Sequence, residues 1–282
     1  MKQVKKYFNR KYLTLNLKKT NYLPFYLHDT SSPPFDHLVM DAHVPVLPAN
    51  EIKYLGIMID SKLKWHVHVN YTAKKIRKII YRFKCLREIL NYNQLKILYF
   101  SLIESHLSYG ILGWGGVLDS HLNHLNLLQK RLLKIIYKKE FTYSSNDLFN
   151  ESNVMDIRSL YFYQCVLYQW QSRVPIIPRK TTRAANNNNL RAPKTKTTCG
   201  QRCFTFLSIR AYNHLPKTIR QINTIKGFKN KAKDHILKTQ RNEIHDVVTS
   251  IVGIIIMSLD NIGQLTIVKS NSAGYDLRLE SV

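Results

Sequence analysis

Apolar residues at Ile76, Ile79, Ile80, Phe83, Leu86 and Leu90 recur three and four positions apart. Lys74, Lys75, Arg77, Lys78 and Arg82 fill the places between them. That spacing predicts an amphipathic helix with a basic outer face. Asn91-Tyr92-Asn93 interrupts the pattern, which resumes through Leu95, Leu98, Leu102, Ile103 and Leu107 and stops at the glycines between Gly110 and Gly116. A third helix is predicted from about Ser120 to Lys138, with Leu122, Leu125, Leu128, Leu132, Leu133 and Ile136 inward. A fourth spans about 154–171 and is rich in aromatic residues. Connections this short favour neighbouring, antiparallel helices.

The flanks read differently. Residues 2–11 predict a short amphipathic helix, 13–27 one or two strands, and 28–36, with Ser31-Ser32-Pro33-Pro34, a loop. Val44–Leu47 and Ile52–Ile59 read as two strands joined at Pro48-Ala49-Asn50-Glu51. Pro175 and Pro178 end the helical pattern, and 173–200, with Asn186 to Asn189, reads as a linker with basic decoration. Two more helices follow at about 203–213 and 224–238, and Val247–Met257 with Leu265–Val268 reads as a terminal strand pair. The predicted fold is mainly α with a small β component.

Charge changes the picture. The 282 residues carry 43 Lys and Arg against 18 Asp and Glu, a net charge of +25. Residues 173–242 hold 17 basic residues and one acid, Asp234. Such an excess points to a polyanionic partner, most often nucleic acid, whose phosphates release counterions when Lys and Arg neutralise them. The 44% hydrophobic content excludes a wholly disordered chain. The 4 Cys are too few for a disulfide scaffold. The longest apolar run, Ile251–Met257, falls far short of the ~20 residues that span a bilayer. The N-terminal residues lack an apolar signal region. The expectation is an intracellular protein of nucleus or cytoplasm, not secreted and without a membrane partner.

Candidate chemistry is sparse. Two-metal nucleotidyl transfer needs clustered carboxylates, and the sequence has neither an Asp-Asp pair nor Asp-x-Asp. Cys199-x3-Cys203 with His214 lacks the spacing and fourth ligand of a structural zinc site. His66-x-His68 and His121-x2-His124 read as surface histidines rather than metal ligands. No catalytic or metal-ligating residue is assigned. The basic helix faces remain: Lys74, Lys75, Arg77, Lys78 and Arg82 on one, Lys130, Arg131 and Lys134 on the other.

Short runs then resemble a known family in order. Glu51-Ile52-Lys53-Tyr54-Leu55-Gly56-Ile57-Met58-Ile59-Asp60, followed by Leu63-Lys64-Trp65 and His68, resembles the segment after the catalytic palm in reverse transcriptases of non-LTR (LINE-like, jockey-type) retrotransposons. Leu15-Asn16-Leu17-Lys18-Lys19-Thr20 is similar to the palm motif that follows the catalytic Asp pair. Leu98-Tyr99, Tyr109-Gly110, Trp114-Gly115 and Gln129-Lys130-Arg131 resemble the thumb. Arg158, Leu160-Tyr161, Leu190, Pro193, Asn213-His214-Leu215-Pro216 and Phe228-Lys229 resemble what lies beyond it. The likeness covers about residues 1–238. The family's Tyr-x-Asp-Asp motif is absent and is expected just before residue 1.

The resemblance implies a remnant of a right-hand polymerase palm with short antiparallel strands and a primer-grip-like hairpin (1–65). A thumb-like helical bundle (66–172), a basic linker and C-terminal connection (173–242) and an unrelated tail (243–282) follow. It implies a truncated RNA-directed DNA polymerase that retains template–primer binding but lacks the catalytic pair, inactive alone. Mg²⁺ is the family's cofactor, with none bound by this chain alone. The implied partners are an RNA template or RNA–DNA duplex, with a catalytic palm that either lies upstream or comes from another chain. Implied contacts are Lys18, Lys19, Lys53, Tyr54 and Gly56, with the thumb cations. Gly56 is expected to let a backbone approach closely. The alternative is a domesticated or pseudogene-derived nucleic-acid-binding or helical interaction module with no polymerase role.

Overall fold

The computed structural model describes residues 2–13, 20–25, 38–39, 45–46, 48–172, 189–195, 198–239 and 241–249. Helices dominate them, with two small antiparallel strand pairs. The chain divides into two compact units, Met1–Lys78 and Ile79–Val282, and the division falls inside one helix. Among the described residues no helix is long and apolar enough to cross a membrane.

In the first unit, α1 (Lys2–Arg10) matches the predicted amphipathic helix. Of the strands expected over 13–27, residues 20–25 form only a single bridge, Tyr22 beside Pro48, with the Ala49 N–H donating to the Tyr22 carbonyl at 2.9 Å. Pro24 offers no ladder donor there. The loop 28–36 lies outside the described residues, as do Lys18 and Lys19. Strands β1 (Leu38–Val39) and β2 (Pro45–Val46) pair with each other.

The segment Ile52–Ile59 corrects the expectation of one strand. It folds back on itself as β3 (Glu51–Tyr54) and β4 (Ile57–Asp60), in register from Glu51 opposite Asp60 to Tyr54 opposite Ile57. Leu55 and Gly56, at φ 46° and 87°, make the turn. Two consecutive positive φ values suit the right-handed twist of a two-residue hairpin, and the second costs glycine nothing. The positive φ alone is a reason for glycine at position 56.

The hairpin is tied to α2 (His66–Leu86) by two side chains. The buried Asp60 carboxylate accepts from the backbone N–H groups of Lys62 (3.2 Å), Lys64 (2.9 Å) and Trp65 (2.8 Å). It holds a loop whose Leu63 and Trp65 sit at positive φ, 51° and 62°. His68, on the first turn of α2, accepts at Nδ1 from the Met58 N–H of β4 at 3.2 Å. It is 3% exposed, which corrects the expectation of a surface histidine. Burial first, and then the charge of Lys75, lowers its pKa to about 4, so the ring is neutral.

The second unit continues α2 and is built around α8 (Ile157–Gln171). Ile157, Leu160, Tyr161, Phe162, Cys165 and Val166 are all buried, on nearly every side of that helix. A helix apolar all round must be covered all round. Accordingly α4 (Ser105–Ser108), α5 (Ile111–Trp114), α6 (Asp119–Ile136), α10 (Phe204–His214), α12 (Ile225–Lys238) and α13 (Arg241–Thr249) pack on it. Short helices α7 (Ser145–Ser152), α9 (Thr198–Arg202) and α11 (Lys217–Arg220) lie in the same unit.

The break at Asn91 starts α3 (Tyr92–Leu98). The Asn91 side chain accepts from the Gln94 N–H, and the Gln94 side chain accepts from the Asn91 N–H, a reciprocal cap. The helix then widens into a π-helical stretch, Tyr99–Glu104. This corrects the inward set: Leu102 is exposed and Leu98 half-buried, while Leu95, Tyr99, Ile103 and Leu107 face the core. The inward leucines predicted for α6 are all buried. Val247–Thr249, expected as strand, are helical, and Ile244, Val247 and Val248 are buried. The expected tail boundary at 243 falls inside α13, and residues 250–282 lie outside the described residues.

Candidate nucleic-acid interface

In the first unit the hairpin and the start of α2 bring cations and aromatics together. The Lys53 ammonium lies 5.4 Å from the Tyr71 ring centroid, and that of Lys75 lies 4.5 Å from it. Both pairs are attractive through the ring quadrupole. Hydrogen bonding from Lys53, then from Lys75, holds the Tyr71 phenol below its ordinary pKa. At the hairpin tip Tyr54 is 61% and Leu55 72% exposed. Lys74, Arg77 and Lys78 are exposed along α2, Lys74 and Lys78 one turn apart on the same face. The result is a basic strip carrying an accessible aromatic.

Arg82, also exposed, lies on the part of α2 belonging to the second unit. On α6, Arg131 is exposed and Lys130 half-buried. The Lys134 ammonium donates to the Phe141 carbonyl and lies 5.3 Å from the Phe141 ring, closing the chain exit from α6. Tyr71 escapes the sequence reading. Its only signal there is the four-residue step to Lys75. Asp60 stands in the run that carries the resemblance, but its anchoring role escapes, because its partners are backbone groups that carry no sequence mark.

Several residues of the ordered motifs prove to be fastenings inside the second unit. Arg158, 1% exposed, donates through Nε to Asp119 Oδ1 at 2.8 Å, through Nη1 to the Gly115 carbonyl at 2.8 Å, and through Nη2 to the Val117 carbonyl. Trp114 is buried, and its Nε1 donates to the Tyr109 carbonyl at 3.0 Å. A Cβ on Gly115 would stand 2.4 Å from Tyr161 Cδ2 and 2.7 Å from the Ile111 carbonyl. Gln129 Nε2 donates to the Tyr99 hydroxyl (2.7 Å) and the Met155 carbonyl (2.8 Å). Asn213 both accepts from the Leu190 N–H and donates to its carbonyl, each at 2.8 Å. Part of the expected linker is therefore pinned to α10.

Asp156 joins α8 to α13. Its carboxylate caps α8 through the Ser159 N–H at 2.8 Å and pairs with His245 Nε2 of α13 at 2.8 Å. Burial raises its pKa, but the hydrogen bond and charge of His245 outweigh this and hold it below the ordinary carboxylate range. Among the described residues no group of three His, Cys, Asp or Glu comes together as a metal site.

The geometry defines a basic, mainly helical protein with a small β-hairpin. Over 125 residues the chain is 27% identical to the "Probable RNA-directed DNA polymerase from transposon X-element" of Drosophila melanogaster, covering 43% of this chain. The chain spans 13% of that relative's length in the match. No family model and no solved structure matches.

Proposed function

We propose that the chain derives from the reverse transcriptase of a non-LTR, jockey-type retrotransposon and supplies rear-palm, thumb-like and connection segments that hold a template–primer duplex. The likeness to the transposon polymerase carries the reading and supports a reverse-transcriptase-related origin. The strip of Lys53, Tyr54, Lys74, Lys75, Arg77 and Lys78 supplies the chemistry: cations for phosphate oxygens and an exposed ring for the sugar or base face. Arg82, Lys130 and Arg131 add phosphate contacts from the second unit. The expected contacts at Lys18 and Lys19 belong to the same proposal.

The carboxylates argue against independent synthesis. The 18 acids include no Asp-Asp or Asp-x-Asp, whereas in-line phosphoryl transfer by paired Mg²⁺ ions needs bridging carboxylate oxygens. A catalytic palm, preceding this segment in a longer chain or supplied by another chain, with its Mg²⁺, is the part that would complete the reaction. Primer extension on an RNA template with Mg²⁺ tests this. The expected result is salt-sensitive binding of the RNA–DNA duplex without extension. Robust extension by the purified chain would overturn the proposal.

A further inference from the structure

Helix α12 carries lysines that are not among the contacts proposed above. Its apolar face, Phe228, Ala232 and Ile236, is buried, and the Trp170 ring stacks on Phe228 with centroids 5.4 Å apart. The helix is therefore fixed against α8 and cannot roll. Lys226, Lys229, Lys231 and Lys238 are all exposed on the outside. At 100° per residue, Lys226 and Lys229 form one row and Lys231 and Lys238 another, with Asn230 and the single acid Asp234 between them. Among the described residues, none of these four lysines is in an ion pair. Lys233 is set apart: its ammonium lies 5.4 Å from the Phe100 ring, and its charge acts on the half-buried Glu104.

We propose that the outer face of α12 is a second nucleic-acid contact, binding the phosphate backbone without reading bases. The proposal rests on the reading above and extends it to a surface outside the hairpin and α2. Backbone contact follows from what the face lacks. No aromatic residue is exposed on α12, so bases have no ring to stack on. A membrane surface fits poorly for a related reason: the only bulky apolar residue exposed on α12 is Ile225, at its first position, whereas interfacial helices bury an apolar face in lipid. From Lys226 to Lys238 the helix advances ~18 Å, a length over which a duplex presents roughly ten phosphate charges.

The test uses the full chain and a labelled RNA–DNA duplex, with affinity measured from 50 to 300 mM salt. Lys229→Gln/Lys231→Gln/Lys238→Gln is compared with Lys74→Gln/Arg77→Gln/Lys78→Gln and with Asp234→Lys. Glutamine keeps helix propensity close to that of lysine. If α12 contacts phosphate, its triple variant lowers the slope of log K on log salt by about 2–3 and weakens binding roughly a hundredfold at 0.1 M salt. Asp234→Lys raises the slope by about 1. If the α2 variant weakens binding while the α12 variant and Asp234→Lys match the parent, the α12 proposal fails and the wider reading stands. If the parent chain shows no salt-dependent binding, or binds only anionic phospholipid vesicles, both fail. Should the triple variant lose its helical circular dichroism, Asp234→Lys decides: an unchanged slope overturns the proposal.

Discussion

Replacing Arg158 by Met separates a charge effect from a carbonyl effect in one experiment. The guanidinium is 1% exposed, whereas the Asp119 side chain is 56% exposed. The ion pair with Asp119, at 2.7 Å, is therefore half in water, and exposed pairs contribute about 0–1 kcal/mol. The carbonyls of Gly115 and Val117 are different, because Arg158 is their side-chain donor. Methionine fills similar space but donates nothing. Each stranded buried acceptor costs about 1–3 kcal/mol, so Arg158→Met should destabilise the second unit by about 3–5 kcal/mol. Asp119→Asn should cost at most about 1 kcal/mol. Urea denaturation followed by helical circular dichroism measures both. At a slope of about 2–3 kcal/mol per molar urea, the first variant moves the midpoint down by about 1–2 M and the second by less than about 0.5 M. Equal shifts for the two variants would refute the view that Arg158 acts by satisfying carbonyls.

Other outcomes follow from the same geometry. Gly115→Ala drives a methyl into Tyr161 and the Ile111 carbonyl, and a thermal melt should show a loss of about 1–3 kcal/mol. Ile244→Ala, at 1% exposure, should cost about 2–5 kcal/mol in the same assay, whereas an unchanged melt would place α13 outside the cooperative unit. For His68, the unfolded chain takes up a proton near pH 6.5 that the folded chain refuses until about pH 4. Its contribution is thus fully present above pH 6.5 and is lost as pH falls through that window, and His68→Gln should flatten the stability–pH curve between those values. Asp60→Ala should speed hydrogen exchange at the Lys64 and Trp65 amides, reporting loss of the carboxylate that holds them.

The helices were legible because a 3.6-residue apolar period survives in a single sequence: the α6 leucines and the buried Ile76, Ile80 and Phe83 of α2 fall where their spacing puts them. The hairpin at Leu55-Gly56 was legible only through resemblance, since the residue pattern of Ile52 to Ile59 reads as one strand and gives no sign of the two positive φ values that break it. The roles of the anchoring groups were hidden for another reason. Asp60, Arg158 and Asn213 bond mainly to backbone, and any sequence offers backbone everywhere. The ordered motifs located Trp114-Gly115 and Arg158 through resemblance, but only the packing of Tyr161 against Gly115 shows why an α-hydrogen is needed there. The basic strip was visible as charge, while Tyr71 as its aromatic centre was not.

The wide turn at Tyr99–Glu104 has an arithmetic consequence. Core-facing positions Leu95, Tyr99, Ile103 and Leu107 stand at steps of four, four and four, or twelve residues in three turns. An ordinary α-helix keeps a face with steps of four, three and four, or eleven residues in three turns. The stretch thus has the form of an α-helix with one residue inserted and the surplus stored as a bulge. Its two ends keep the phase they would have without the insertion. Removing one residue from Phe100–Leu102 would erase the bulge while leaving Leu95 and Leu107 facing inward, so this is the one helical place described here where a shorter chain and the same core are compatible.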